Sequence, residues 1–267
     1  MRAVRSLCHL WLLIAAVIVV SSCATSQTLL PPGTLDADKF LFDRGQEEFK
    51  ERRWLRAREF FRQIVDNYPQ SPYRPDAKLA VGDTYIGENT AEALLLAVNE
   101  FREFLTFFPT NPRADYAQYR LGYAYAEQML ATDRDQTATR DTIREIQVFL
   151  DRYPNSALVP DARKLMREAQ DRLSESAYRI GFTYYRMRHY SGAISRFREV
   201  LKLDPEYTGR DAVYYHLGES LLAMARLSPD KSKAAEALPY YERILHEFEQ
   251  RQYMEDARKR IAELKVE

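Results

Sequence analysis

One spacing recurs five times along this chain and limits what it can fold into. A small or polar residue is followed by a bulky residue four positions later, another three later, and an end mark five later. The five ladders are Ala57, Phe61, Ile64, Pro69; Ala97, Phe101, Phe104, Pro109; Thr142, Ile146, Phe149, Pro154; Ala193, Phe197, Val200, Pro205; and Ala237, Tyr241, Ile244, Glu249. Steps of four and three place the apolar side chains on one helix face. Proline then stops the helix, because it has no N–H to donate and its ring collides with the preceding turn. Upstream of each ladder stands a glycine: Gly45, Gly82, Gly122, Gly181 and Gly218, five of the nine in the chain. Glycine inside a helix costs about 1 kcal/mol relative to alanine, so five at matching positions need a compensating contact. The expectation is close helix–helix approach, with the small residue that opens each ladder lying across from the glycine.

This unit resembles the tetratricopeptide repeat, a helix–turn–helix of about 34 residues. Repeats 1 and 4 follow that pattern without a gap, while repeats 2, 3 and 5 carry extra residues between their helices. Thr142 stands where the family has alanine, and the fifth repeat lacks its proline. The predicted fold class is all-α, a tetratricopeptide-repeat solenoid of five helix–turn–helix repeats. No Pro or Gly interrupts the chain between Pro160 and Gly181. One long helix is therefore predicted to link repeats 3 and 4, with Leu165, Ala169, Leu173, Ala177 and Ile180 at helical spacing along it. The near-identical stretches NYPQSPYRPDA (67–77) and RYPNSALVPDA (152–162) are the hinges of this design. Tyr-Pro closes one helix; Pro-Asp-Ala restarts the next, since Pro suits the first turn and Asp favours its positive end.

The N-terminus is built differently. Arg2 and Arg5 precede an apolar run, LCHLWLLIAAVIVV, that is short for a bilayer span but suits a signal-peptide core. It ends in Val20-Ser21-Ser22-Cys23, which resembles a bacterial lipobox. The alternative is an uncleaved anchor helix with an idle cysteine. On the lipobox reading, residues 1–22 are a signal peptide and Cys23 is the lipidated first residue. Residues 23–35 are then a flexible tether containing Pro31-Pro32-Gly33. Several acyl chains on Cys23 would hold the protein firmly to a membrane, and Ala24 after the cysteine suggests the outer membrane. Removal of residues 1–22 also removes Cys8, so no disulfide can form within the remaining chain. The rest divides into 36–158, carrying repeats 1–3, and 159–267, carrying the linking helix, repeats 4–5 and a C-terminal helix.

Charge narrows the function further. Lysine plus arginine and aspartate plus glutamate both total 39, so no overall basic excess suits nucleic acid. His189, His216 and His246 are spread over separate predicted helices with no metal-ligand spacing. No glycine-rich phosphate loop or GxSxG elbow is present. No enzyme activity, metal or cofactor is expected. The 18 tyrosines suit a groove that offers flat apolar area with a hydroxyl.

Three stretches carry a closer resemblance: FPTNPRADYAQYRLGYAYAEQM (108–129), DRDQTATRDTIREIQVFLDRYPNS (133–156) and DRLSESAYRIGFTYYRMRHYSGAISRFREVL (171–201). They are similar to the BamD (ComL/YfiO-type) family of outer membrane protein assembly factor lipoproteins, and Asp133-Arg134-Asp135-Gln136-Thr137 is the most specific mark. The resemblance implies a lipid-anchored protein on the periplasmic face of the outer membrane. Its C-terminal repeats would bind a periplasmic domain of a central β-barrel assembly protein, with other lipoproteins of that complex as further partners. Its N-terminal repeats would receive the C-terminal strands of unfolded outer membrane proteins. Tyr68 and Tyr73, flanking the first Tyr-Pro loop, are implied substrate-binding residues; the alternative is that Tyr68 packs the end of its helix, as Tyr153 would in repeat 3. Arg196 is implied on the groove side, able to pair with a carboxylate; the alternative is an ordinary solvated arginine. Two rivals stand beside this reading: another tetratricopeptide-repeat lipoprotein scaffolding cell-wall or division proteins, and an enzyme with its site in the tyrosine-rich groove.

Overall fold

The structure is a computed structural model that describes residues 35–227, 232–248 and 252–266. The signal segment, Cys23, the tether up to residue 34 and the end mark Glu249 lie outside the described residues. Among the described residues there are eleven α-helices and no strand. In chain order they are α1 (Ala37–Lys50), α2 (Trp54–Asn67), α3 (Arg74–Glu88), α4 (Ala91–Phe107), α5 (Ala114–Ala126), α6 (Thr137–Arg152), α7 (Val159–Arg186), α8 (Tyr190–Leu203), α9 (Arg210–Leu227), α10 (Ser232–Glu247) and α11 (Met254–Val266). Each helix packs antiparallel-fashion on its sequence neighbours, so repeats 1 to 5 are α1–α2, α3–α4, α5–α6, the second half of α7 with α8, and α9–α10. First helices of successive repeats also touch, α3 to α5, α5 to α7 and α7 to α9, whereas second helices do not approach as closely. The stack is tighter on the first-helix side, which is the inner, concave side expected of a helix-pair solenoid.

The helix ends follow the sequence chemistry. Tyr68, Phe108 and Tyr153 are the C-caps of α2, α4 and α6, each directly before a proline. Pro75 and Pro160 sit in the first turns of α3 and α7, with Asp76 and Asp161 beside them.

The glycines behave differently from expectation. A Cβ added to Gly45, Gly82, Gly122, Gly181 or Gly218 would lie 2.6, 2.6, 2.5, 2.7 and 2.5 Å from Phe61, Phe101, Ile146, Phe197 and Tyr241 respectively. The nearest atoms thus belong to the second residue of each ladder, not to the small residue that opens it. Ala57, Ala97, Thr142, Ala193 and Ala237 are fully buried within the helix pair. The large ring or branched side chain uses the notch that the glycine leaves.

Three apolar cores result. The first joins α1–α5, the second α5–α7, and the third α7–α11. The 28-residue α7 bridges the last two: Ala162, Leu165 and Met166 close the middle core, while Tyr178, Phe182 and Tyr185 enter the C-terminal one. The buried face therefore turns along α7 as its partner changes from α6 to α8. This is why Ile180, expected on the buried stripe with Leu165 and Ala169, is 50% exposed.

The extra length of α7 holds the next turn. Arg167 donates to Asp204 at 3.1 Å, Ser174 donates to Asp204 at 2.7 Å, and the Thr208 N–H donates to Asp171 at 3.0 Å. Tyr207 donates to Glu175. These contacts clamp the α8–α9 turn onto a part of α7 that a standard repeat would not possess.

Candidate functional site

Tyr68 and Tyr73 are brought together on the N-terminal core, both half-buried. The Tyr68 N–H donates to Ile64 O at 3.0 Å, and its carbonyl accepts from the Ser71 N–H at 3.0 Å. The Tyr73 N–H donates to Ser71 Oγ at 3.1 Å, and its ring stacks on Phe42 of α1 at 5.2 Å. Tyr153 repeats the Tyr68 position, its ring 5.9 Å from Phe149. Both tyrosines therefore brace the loop against the core and keep only part of their surface open.

The concave face nearby is lined from α3 and α5. Tyr116, Tyr119 and Tyr123 of α5 are half-buried. Arg113 lies over the Tyr116 ring at 4.8 Å, and Arg120 over the Tyr123 ring at 5.1 Å. The hydrogen bond to Glu127, with burial, pushes the Tyr123 hydroxyl up to about 12. Two rungs seven residues apart tie α5 to α3: Arg113 with Asp76 at 3.0 Å, and Arg120 with Asp83 at 2.7 Å. Tyr116 also donates to Asp83, at 2.8 Å. Burial pushes the Asp83 carboxyl above the usual carboxylate range, against the pull of Arg120 and Tyr116. The arrangement is an aromatic and guanidinium surface in which both arginines stack on tyrosine rings and pair with carboxylates of α3.

Arg196 belongs elsewhere. It is exposed on α8, next to the C-terminal core, and its Nη1 donates to Glu199 at 2.8 Å. With Tyr184, His189, Ser191, Gly192 and Ser195 it lines an open groove of about 490 Å³. The structure thus places Tyr68 and Tyr73 at one end of the solenoid and Arg196 on a second surface; the three do not form one site.

That second surface is larger than the sequence reading suggested. Residues 177–198 contain five arginines and no aspartate or glutamate. Ile180, Tyr184 and Met187 are 50%, 37% and 61% exposed at steps of four and three along α7. Arg186 and Arg188 flank them, exposed and without an ion-pair partner among the described residues. Arg188 holds a left-handed backbone (φ 61°) where α7 turns into α8, as Arg52 (φ 57°) does between α1 and α2. Of these three, the sequence reading puts only Ile180 on the buried stripe, because periodicity does not say which face a helix buries.

Among the described residues, no cluster of His, Cys, Asp and Glu could hold a metal ion, and no helix is long and apolar enough to cross a membrane.

Comparison with known proteins adds to this geometry. Residues 36–212 match the family model described as YfiO, outer membrane lipoprotein. A relative from Caulobacter vibrioides is 28% identical over 216 residues, covering 79% of this chain and 70% of its own length. One from Neisseria meningitidis serogroup B is 23% identical over 234 residues, covering 82% and 86%. Both are named outer membrane protein assembly factor BamD. Among solved structures, the TPR2AB domain of yeast Sti1 in complex with pHSP90 aligns at 14% identity and TM-score 0.48, covering 86% of this chain and 83% of that one. A thermophilic TPR protein of Thermus thermophilus aligns at 16% identity and TM-score 0.36, covering 86% and 100%. Both overlaps are loose and bear on neither function nor partner.

Proposed function

The chain belongs to the YfiO family of outer membrane lipoproteins, and we propose on that footing that it works as an outer membrane protein assembly factor. The match over residues 36–212 carries this reading, because it spans repeats 1–4 and the linking helix together. Its relatives bear the same functional name.

The two surfaces divide the work. The concave face of repeats 1–3, with Tyr68 and Tyr73 at its rim, receives the C-terminal strands of unfolded outer membrane proteins. Such strands alternate aromatic and polar side chains, and the tyrosine and arginine surface of α5 offers stacking and charge to match. The arginine-rich face around Arg186, Arg188 and Arg196 docks a periplasmic domain of the central β-barrel assembly protein. Arg186 and Arg188, exposed and outside any ion pair among the described residues, favour an acidic partner, and the exposed Ile180, Tyr184 and Met187 supply the apolar centre that such an interface needs. Other lipoproteins of the complex are further partners. Acyl chains on Cys23 anchor the protein on the periplasmic face of the outer membrane, and no cofactor takes part.

Pull-down from detergent-solubilised outer membranes is expected to recover a large β-barrel protein with periplasmic domains. The double variant Arg186→Glu, Arg188→Glu is expected to lower that recovery at least about tenfold, since a reversed charge opposes an acidic partner, with the helical circular dichroism unchanged. Recovery of peptidoglycan or division enzymes alone would support the rival scaffold reading and overturn this one. Radioactive palmitate is expected to label the protein and to be lost entirely in Cys23→Ser; persistent labelling would refute the anchor.

A further inference from the structure

His216 of α9 is 7% exposed and surrounded by aromatic rings. Ring centroids lie at 4.9 Å for Phe182, 5.3 Å for Tyr215, 5.4 Å for Tyr185, 5.5 Å for Tyr253, 5.9 Å for Tyr178 and 6.3 Å for Phe197. These rings come from α7, α8, α9 and the turn that enters α11. One histidine therefore sits where the linking helix, the last two repeats and the terminal helix meet.

Its hydrogen bonds fix the tautomer. Nδ1 lies 2.8 Å from Ala212 O and 3.0 Å from the Tyr178 hydroxyl. A carbonyl oxygen only accepts, so Nδ1 carries the proton and donates. The Tyr178 oxygen accepts the same N–H, which leaves its own hydroxyl for Tyr253. Nε2 is then bare, and it is the atom that must take the next proton.

We propose that His216 makes the C-terminal half an acid-sensitive latch, in which a proton on Nε2 loosens α11 and its leading turn from α7 and α9. The inference goes beyond the assembly role and does not depend on it. Burial among rings opposes the charge and holds the imidazole below its ordinary value of 6.5. The Ala212 carbonyl and Glu219 pull the other way and are outweighed.

The remaining charged and titratable neighbours do not supply a counter-ion. Glu219 is already taken by Arg260 of α11, at 2.7 and 2.9 Å, and by the Tyr241 hydroxyl at 2.8 Å. On α7, Glu175 accepts from Tyr207, while Tyr178 and Tyr185 are themselves pushed up by burial. On α9, Tyr215 is pushed up to about 12 by burial. Asp211 of α9 acts on the Tyr178 and Tyr253 hydroxyls, and Asp256 of α11 on the Tyr253 hydroxyl. The element α8 contributes the Phe197 ring alone.

The terminal helix is where loosening shows first. α11 packs on α10 and is joined to α9 by the buried Ala257, the Arg260–Glu219 fork and the stack of Tyr253 on Tyr215 at 4.6 Å. A helix packed mainly on one neighbour opens at lower free energy than helices held between two. The sign follows from linkage: because the folded state binds this proton less well than the unfolded state, the latch is fully stable above about pH 6.5 and weakens as pH falls toward the folded value.

The test is hydrogen exchange of the detergent-solubilised lipoprotein at pH 7.5 and 5.5, corrected for intrinsic rates. Protection of residues 252–266 is expected to fall by about tenfold for each pH unit between the two histidine pKa values, while α3–α5 stay unchanged. His216→Phe and His216→Met are each expected to remove the pH effect; if one fails to fold, the other carries the test. His189→Gln and His246→Gln are expected to keep it. The histidine ring signals are expected to give His216 a midpoint below 6.5. Unchanged protection in the parent protein, the same loss in a folded His216 variant, loss of the effect in the other two variants, or a midpoint at or above 6.5 would each overturn the latch.

Discussion

Gly82→Ala is expected to destabilise the protein by about 1–3 kcal/mol, the usual cost of forcing an extra methyl into a packed core. Helix propensity alone predicts the opposite sign, a gain of about 1 kcal/mol. The contact decides between them. The new Cβ would stand 2.6 Å from Phe101 Cζ and 2.9 Å from Cε1, in a ring that is fully buried and has nowhere to withdraw. A second substitution separates this cause from a general loss of fit. Phe101→Leu alone loses packing, but combined with Gly82→Ala it removes the ring tip that the methyl strikes. The double variant is therefore expected to be more stable than the sum of the singles by more than about 0.5 kcal/mol, as touching residues couple. Urea unfolding of the four proteins checks it, and strict additivity would mean that the notch does not hold the ring.

The second large effect contrasts two rungs of one ladder. Asp83→Ala is expected to cost about 3–5 kcal/mol, because it leaves the Arg120 charge and the Tyr116 hydroxyl unpaired between α3 and α5. The side chains of that pair are 12% and 20% exposed. Asp76→Ala, one heptad earlier, removes an equivalent partner from Arg113 but is expected to cost less than about 1 kcal/mol. There the side chains are 42% and 50% exposed, and water replaces the lost partner. The same chemical change on the same helix face thus separates burial from charge pairing. Thermal unfolding of the two variants measures the difference, and equal costs would show that the α3–α5 contact does not depend on the buried rung. Because these helices form the concave face, loss of Asp83 is also expected to disturb the surface that Tyr116 and Tyr123 present.

Much of the candidate site was written in local patterns, yet its grouping was not. Tyr68 and Tyr73 could be placed at a helix end because Tyr-Pro and Pro-Asp-Ala are short-range signals. Their bracing against Phe42 depends on α1 returning across the loop, which no local pattern states. Arg196 could be placed off the core face from its position beside Phe197. The arginine-rich surface around it was missed because Ile180 shares the spacing of the buried residues before it, and nothing local shows that α7 turns that face outward. His216 stood alone in the sequence and gained meaning only through rings from four elements.

The sequence by itself determined the repeat, the helix boundaries and the presence of one long link, because each rests on contacts within a few residues or on the steric limits of proline and glycine. It also carries the Val20–Cys23 stretch that resembles a lipobox, which lies outside the described residues. Tertiary structure alone decided which ladder residue enters the glycine notch, where α7 rotates its buried face, and which polar side chains become buried pairs. Those outcomes depend on the distance and angle between helices, quantities set by the summed packing of many side chains rather than by any one stretch of chain.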